Sequence, residues 1–175
     1  MQIKMLIVGY LQTNCYILIK DNKCLVVDPG ADLNKIKEVV GEMEVVGILV
    51  THHHPDHVMA LVPLRLWCKA PIYDIKKGEG IFSVNDFTFN IIETPGHSND
   101  SVTFYFEDEN VMFCGDFIFK KTIGRTDLLG SSVEKMKKSL QTIKKFPSNI
   151  RIYPGHGNDS TLEYEFEYNR FLTNL

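Results

Sequence analysis

Six histidines occur in the chain, and four of them stand within the run Thr51-His52-His53-His54-Pro55-Asp56-His57. In extended backbone alternate side chains share a face, so His52 and His54 can converge on one point while His53 turns away as a bystander. Asp56 and His57 follow at an expected strand-to-helix junction and reach the same space from another angle. Three further stations have a related local form: His97 after Thr94-Pro95-Gly96, Asp116 after Cys114-Gly115, and His156 after Pro154-Gly155. A glycine just before the polar residue lets the backbone turn where a strand ends, so that a side chain projects from the rim of a sheet. Any one of these residues alone reads as a surface or turn residue. Together, five histidines and two aspartates with no thiolate among them form a donor set suited to zinc, iron or manganese, without choosing between them.

The elements that must carry these stations follow from periodicity. Ile3–Val8, Cys15–Ile19 and Cys24–Val27 are short β-branched runs separated by turns, expected as an antiparallel meander. A helix is expected from Asp32 to Gly41, and the continuous apolar run Val45–Val50 reads as a strand buried on both faces that delivers the chain to the histidine cluster. From Asp56 to about Lys69 the spacing is helical, with a kink or restart expected at Pro63. Strands are expected around Ile72, Phe82 and Phe87–Ile92, then a hairpin of Val102–Phe106 and Asn110–Cys114. Residues 117–131 read as a loop, Val133–Lys145 as a helix, Arg151–Tyr153 as the last strand and Leu162–Leu172 as a closing helix. Asp28, at the end of the third strand, reads either as a hydrogen-bond acceptor for the ligand loop or as an ordinary turn aspartate before proline.

Composition narrows the function classes. The chain has 175 residues, 44% apolar and 23% charged, with net charge −3. One domain of this size buries roughly 70% of its unfolded surface, so a metal is not required merely to fold. The absence of basic blocks argues against a nucleic-acid partner. No apolar run suits a membrane span or a secretory leader, so a cytoplasmic protein with no membrane partner is expected. Cys15, Cys24, Cys68 and Cys114 are too widely spaced for a redox pair and read as reduced packing residues.

The set resembles the metallo-β-lactamase superfamily, whose T-H-x-H-x-D-H signature is met by Thr51, His52, His54, Asp56 and His57, with the later T-P-G-H, G-D and P-G-H-G stations at 94–97, 115–116 and 154–157. Within it, Thr122-Ile123-Gly124-Arg125-Thr126-Asp127, the opening Leu11-Gln12-Thr13-Asn14-Cys15-Tyr16, Asp28-Pro29-Gly30 and the ending Ser160-Thr161-Leu162-Glu163-Tyr164-Glu165 resemble the glyoxalase II-like (hydroxyacylglutathione hydrolase-like) branch. The resemblance implies an α/β fold: a four-layer αβ/βα sandwich of two mixed β-sheets flanked by helices, with the site at one edge. It implies two divalent metal ions, zinc first, with iron or manganese as alternatives. His52, His54 and His97 would hold one, Asp56, His57 and His156 the other, and Asp116 would bridge, making Asp56 and Asp116 the catalytic carboxylates.

The reaction implied is hydrolysis of a small acyl thioester by a hydroxide bridging the metals. Arg125 is placed to bind a substrate carboxylate, although pairing with Asp127 is the competing role. Tyr10, Lys120 and Lys121 are weaker candidates for the pocket rim. The pattern also departs from its relatives. The chain runs only 19 residues beyond His156, so residues 1–175 are expected as one domain without the C-terminal helical substrate domain that helps hold glutathione. Asn99-Asp100 adds a charge near the mouth. Two alternatives stay open: a mononuclear iron persulfide dioxygenase using His52, His97 and Asp116, and a metal-binding module without turnover. A thioester small molecule is the expected partner, and the oligomeric state is left open.

Overall fold

Alternating strand side chains sort onto three apolar interfaces, and that sorting makes the architecture. The computed structural model describes residues 1–175. Strands β1 (Gln2–Val8), β2 (Thr13–Lys20) and β3 (Lys23–Val27) form the expected antiparallel meander. Helix α1 (Leu33–Val40) then carries the chain over one face, so that β4 (Glu44–Leu49) joins β3 in parallel. Helices α2 (Pro55–Val58) and α3 (Leu61–Cys68) span the next crossover, and β5 (Ile72–Tyr73) completes a sheet in the order β1-β2-β3-β4-β5.

The second sheet begins with the antiparallel strands β6 (Gly80–Val84), β7 (Phe87–Glu93), β8 (Val102–Phe106) and β9 (Val111–Gly115). A small hairpin of β10 (Ile118–Phe119) and β11 (Thr122–Ile123) follows, then α4 (Val133–Ile143). Strand β12 (Arg151–Pro154) returns parallel to β9, and β13 (Ser160–Thr161) pairs on its outer side. The order is β13-β12-β9-β8-β7-β6. Helices α5 (Leu162–Tyr168) and α6 (Arg170–Thr173) end the chain.

Parity along each strand decides which interface a residue joins. Cys15, Ile17 and Val26 face Ile36 of α1 and Leu64 of α3, whereas Tyr16, Leu18 and Val27 face inward onto Phe89, Phe104 and Phe113 of the second sheet. On the far side Met112 and Cys114 pack with Met136 and Leu140 of α4 and Leu162 of α5. Both sheets are covered on both faces, which is the αβ/βα sandwich anticipated. Cys15, Cys24 and Cys114 are buried free thiols, as their spacing suggested. No helix is long and apolar enough to cross a membrane.

Four expectations need correction. The break after α2 falls at Met59-Ala60, and Pro63 sits in the first turn of α3, where a missing N–H leaves no hydrogen bond unmade. Residues 117–131 contain the β10–β11 hairpin, too short to show a period. The closing helix is broken at Asn169, where extended backbone ends α5 and the side chain caps α6 by accepting from the Phe171 N–H at 3.1 Å. Arg151–Tyr153 is also followed by β13.

Phe104 is fully buried between the sheets. Phe104→Ala is expected to cost about 3–5 kcal/mol, read as a lower urea midpoint at unchanged slope.

Candidate metal centre

Strands β7, β9 and β12 run in one direction and end at one rim, where β7 leads to His97, β9 to Asp116 and β12 to His156. The first sheet supplies the rest. Beyond β4 the chain runs through Val50 and Thr51, stays extended to His54, and enters α2 with Pro55 at the first helical position, where proline's fixed φ suits the turn. His52 and His54 therefore point the same way, and Asp56 and His57 come from the helix. Two backbone hydrogen bonds join the rims of the sheets: Val102 N–H to Thr51 O at 2.8 Å, and Asn14 N–H to Gly155 O at 2.7 Å.

All seven sequence-predicted ligand residues are brought together. His54 Nδ1 lies 3.1 Å from His52 Nε2 and 2.9 Å from His97 Nε2. Asp56 Oδ2 lies 3.2 Å from His156 Nε2 and 3.5 Å from His57 Nε2. Between these groups sits Asp116: Oδ1 is 3.3 Å from His57 Nε2, and Oδ2 is 3.5 Å from His97 Nε2 and 3.7 Å from His156 Nε2. The sets His52/His54/His97, His52/His57/Asp116 and Asp56/His57/His156 each keep their donor atoms within 4.8 Å of one another.

The glycines act in two different ways. Gly115 has φ +50° and turns the chain from β9 towards Asp116, with the Thr51 side chain occupying the space of a Cβ. Gly155 serves by size: a Cβ there would collide with Asp116 Oδ1 and the His57 ring. Close approach, not a turn, makes that position glycine.

Hydrogen bonds to the far nitrogens set the orientation of the rings. His57 Nδ1 lies 2.9 Å from Asp28 Oδ2, and the other Asp28 oxygen accepts from Thr51 N–H at 2.8 Å. Asp28 is thus the acceptor that braces the ligand loop. His97 Nδ1 meets the Arg125 carbonyl at 2.9 Å, leaving Nε2 to face the cluster. His57 Nε2 and Asp116 Oδ1 are buried without a hydrogen-bond partner. Such orphaned atoms cost about 1–3 kcal/mol each, and ring nitrogens aimed at one another repel unless a proton or cation lies between them. A cation answers both problems, so the residues fit divalent metals.

Charge environment divides the histidines. Burial pushes His52 and His54 down, helped by neighbouring imidazoles, so both favour the neutral, ligating form. His57 is raised to about 10, because the Asp28 and Asp116 carboxylates outweigh the burial that opposes its charge. Asp56 hydrogen bonding raises His156. Asp56 itself is held well below the usual carboxylate range, burial being overcome by His156, His57 and Thr13.

The remaining candidates fall outside the cluster. His53 points away, its Nδ1 2.7 Å from Asp100 Oδ2 and its Nε2 3.3 Å from Asp74 Oδ2. Asp100 also accepts from Ser98 Oγ at 2.6 Å, so the extra charge braces the loop. The exposed Arg125 guanidinium forms a two-bond pair with Asp127 at 2.9 and 3.0 Å, and what Arg125 gives the histidines directly is its carbonyl. Cys114 packs in the core, with burial pushing its thiol up to about 12. Tyr10 stands exposed at the rim of an apolar groove beside Asp56, while Lys120 and Lys121 lie over Tyr164.

Sequence reasoning gave no role to Thr13, Asn14 or Tyr16. Thr13 Oγ1 donates to Asp56 Oδ2 at 3.0 Å; Asn14 Nδ2 and Tyr16 O–H both donate to the Pro154 carbonyl, at 3.0 and 2.6 Å, which holds the loop of His156. The available signal was a buried Thr-Asn pair opening an otherwise apolar strand.

Protons must leave His57 and His156 before a metal binds there, whereas His52 and His54 are already neutral near pH 7. Metal affinity at Asp56/His57/His156 should therefore weaken more steeply on acidification than affinity at His52/His54/His97. Metal titrations between pH 8 and 5.5 on His54→Ala, which retains the former set, and His156→Ala, which retains the latter, are expected to show the steeper dependence in His54→Ala.

Comparison with known proteins agrees with this geometry. The family model described as "Metallo-beta-lactamase superfamily" matches residues 8–87 and 73–156. A probable metallo-hydrolase of Bacillus subtilis is 30% identical, with 94% of each chain covered. The hydroxyacylglutathione hydrolase of Francisella tularensis subsp. novicida is 31% identical over 81% of this chain, which spans 61% of that protein. Among solved structures, the BLEG-1 B3 metallo-beta-lactamase superposes with a TM-score of 0.94 at 29% identity, covering 98% of this chain and 100% of that one. TTHA1623, in a di-iron-bound form, gives 0.86 at 28% identity, covering 97% and 100%. From the matched family model, the relatives and the shared fold, the chain belongs to the metallo-beta-lactamase superfamily and carries that superfamily's metallo-hydrolase framework.

Proposed function

We propose that this protein is a dinuclear metal-dependent hydrolase of small acyl thioesters, close in activity to hydroxyacylglutathione hydrolases. The observation that carries the reading is the position of Asp116 between two sets of donors, within reach of both His97 and His156. His52, His54 and His97 would hold one ion, Asp56, His57 and His156 the second, and Asp116 both. A pair of divalent ions there supplies a water activated near neutral pH and Lewis-acid polarisation of a carbonyl.

The chain's own groups prepare that chemistry. Asp28 keeps the His57 Nδ1 proton in place, so that Nε2 offers its lone pair to the site. Thr13 occupies Asp56 Oδ2 and limits how that carboxylate can swing. Arg125, on the loop that also supports His97, would exchange Asp127 for a substrate carboxylate; both groups are exposed, so the exchange has a low barrier. A thioester suits a site in which no protein acid has been assigned to the leaving group, since a thiol with a pKa of about 8.5 departs readily as thiolate. The name of the Francisella relative supports the same substrate class.

Metal-loaded protein tested against thioesters of graded size should hydrolyse at least one class, and His54→Ala should lower turnover about 100-fold or more. Arg125→Ala should raise KM roughly tenfold for thioesters bearing a carboxylate while leaving neutral ones unchanged. Oxygen uptake with a persulfide under ferrous loading, or turnover confined to a cephalosporin, would replace the thioesterase reading. Metal binding with no turnover on any of these substrates would leave a binding module.

A further inference from the structure

The one fully buried carboxylate away from the metal cluster and its supports is Glu165, on α5, and it has no cation beside it. Three donors surround it: Ser160 O–H at 2.5 Å, Lys121 N–H at 2.8 Å and Asn169 Nδ2 at 2.9 Å. Asn169, also fully buried at the break between α5 and α6, donates in addition to the Thr122 carbonyl at 2.9 Å. Two buried side chains thus grip the tip of the β10–β11 hairpin from beneath. Burying an ion without a counterion is costly, and full hydrogen bonding is what makes it tolerable. A helix that needed only to pack on the sheet would do so with an apolar residue at this position.

The hairpin tip needs such a grip. The turn Lys120-Lys121 contains no glycine, yet Lys121 has φ +66°, a conformation that disfavours a side chain. Its N–H, turned inward by that conformation, reaches Glu165. The same hairpin meets three metal-cluster residues along its length. It starts at Asp116; Phe119 lies against the His156 ring at 6.3 Å between centroids; and its last residues lead through Gly124, packed on the Asp116 carbonyl, to the Arg125 carbonyl on His97 Nδ1. A backbone bond from Gly124 N–H to Phe117 O at 3.2 Å closes the loop.

We propose that Glu165 and Asn169 are positioning residues of the metal centre, acting through the β10–β11 hairpin to hold Asp116, His156 and the carbonyl that orients His97. The proposal rests on the metal-centre reading and is independent of the substrate, so its test is read on the metal.

Glu165→Ala, Glu165→Gln, Glu165→Asp and Asn169→Ala would be loaded with cobalt(II) or zinc. Release to a chelator, the cobalt(II) visible spectrum and amide exchange at Lys121 and Gly124 would then be measured. Glutamine can still accept from Lys121 and Asn169 while donating to Ser160, so Glu165→Gln should stay within about twofold of the parent. Glu165→Ala and Asn169→Ala should lower metal affinity about tenfold or more, change the cobalt spectrum and speed exchange at both amides. If Glu165→Ala does not fold, Glu165→Asp, which keeps the charge and shortens the reach, should show the same changes to a lesser degree. Ile36→Ala, in the layer on the opposite side of the molecule, supplies a control of lowered stability. Variants that only unfold more easily, with the metal affinity and cobalt spectrum of the control, would overturn the proposal. A parent protein that binds metal but hydrolyses no thioester would overturn the proposed substrate and leave this test, read on the metal, in force.

Discussion

The crowding of ring nitrogens and carboxylates around one point is the central constraint of this molecule. His52, His54 and His97 present ring nitrogens to one another at about hydrogen-bond distance, and His57 and Asp116 leave buried polar atoms without partners. Donor groups crowded this closely hold their places only where the surroundings fix them, and here supports act from several sides. Asp28 and Thr51 hold the loop from below, Arg125 holds His97 from the side, and Gly155 brings β12 so close that no larger residue could stand there. The two sheets, packed through a phenylalanine-rich interface, supply the rigidity that this demands.

The same constraint explains the ordering of charge. Carboxylates lie next to His57 and His156 and raise their affinity for protons, while at His52 and His54 burial and neighbouring imidazoles outweigh the pull of Asp116. The two ends of the cluster are therefore electrostatically distinct although they draw on the same residue types. Asp116 lies between them and touches both.

Much of this was legible from residue order alone. The spacing of His52, His54, Asp56 and His57 predicts two directions of approach, and the strand-then-helix junction at Pro55 is where it was expected. The continuous apolar run Val45–Val50 announces a strand covered on both faces, and β4 is buried along nearly all its length. What stayed hidden has a common physical cause: short elements whose reason for existing is a distant partner. Strands β10, β11 and β13 have two residues each, too few for any period. The break at Asn169 is set by carbonyls on the β10–β11 hairpin, some fifty positions earlier. Thr13 and Asn14 read as turn residues until the His156 loop is folded over them. At Gly155 the residue type was informative but the motive was not, since crowding and turning both select glycine.

Each of the two outer triads draws its members from both halves of the chain: His52 and His54 wait for His97, and Asp56 and His57 wait for His156. A polypeptide emerging from the ribosome therefore has all members of the first triad once His97 is made, but lacks the second triad until its last fifth is made. Hydrolytic capacity would switch on only in a finished molecule, and an aborted fragment would have no means of gathering both ions. The division of ligands between distant segments thus ties chemical competence to completion of synthesis.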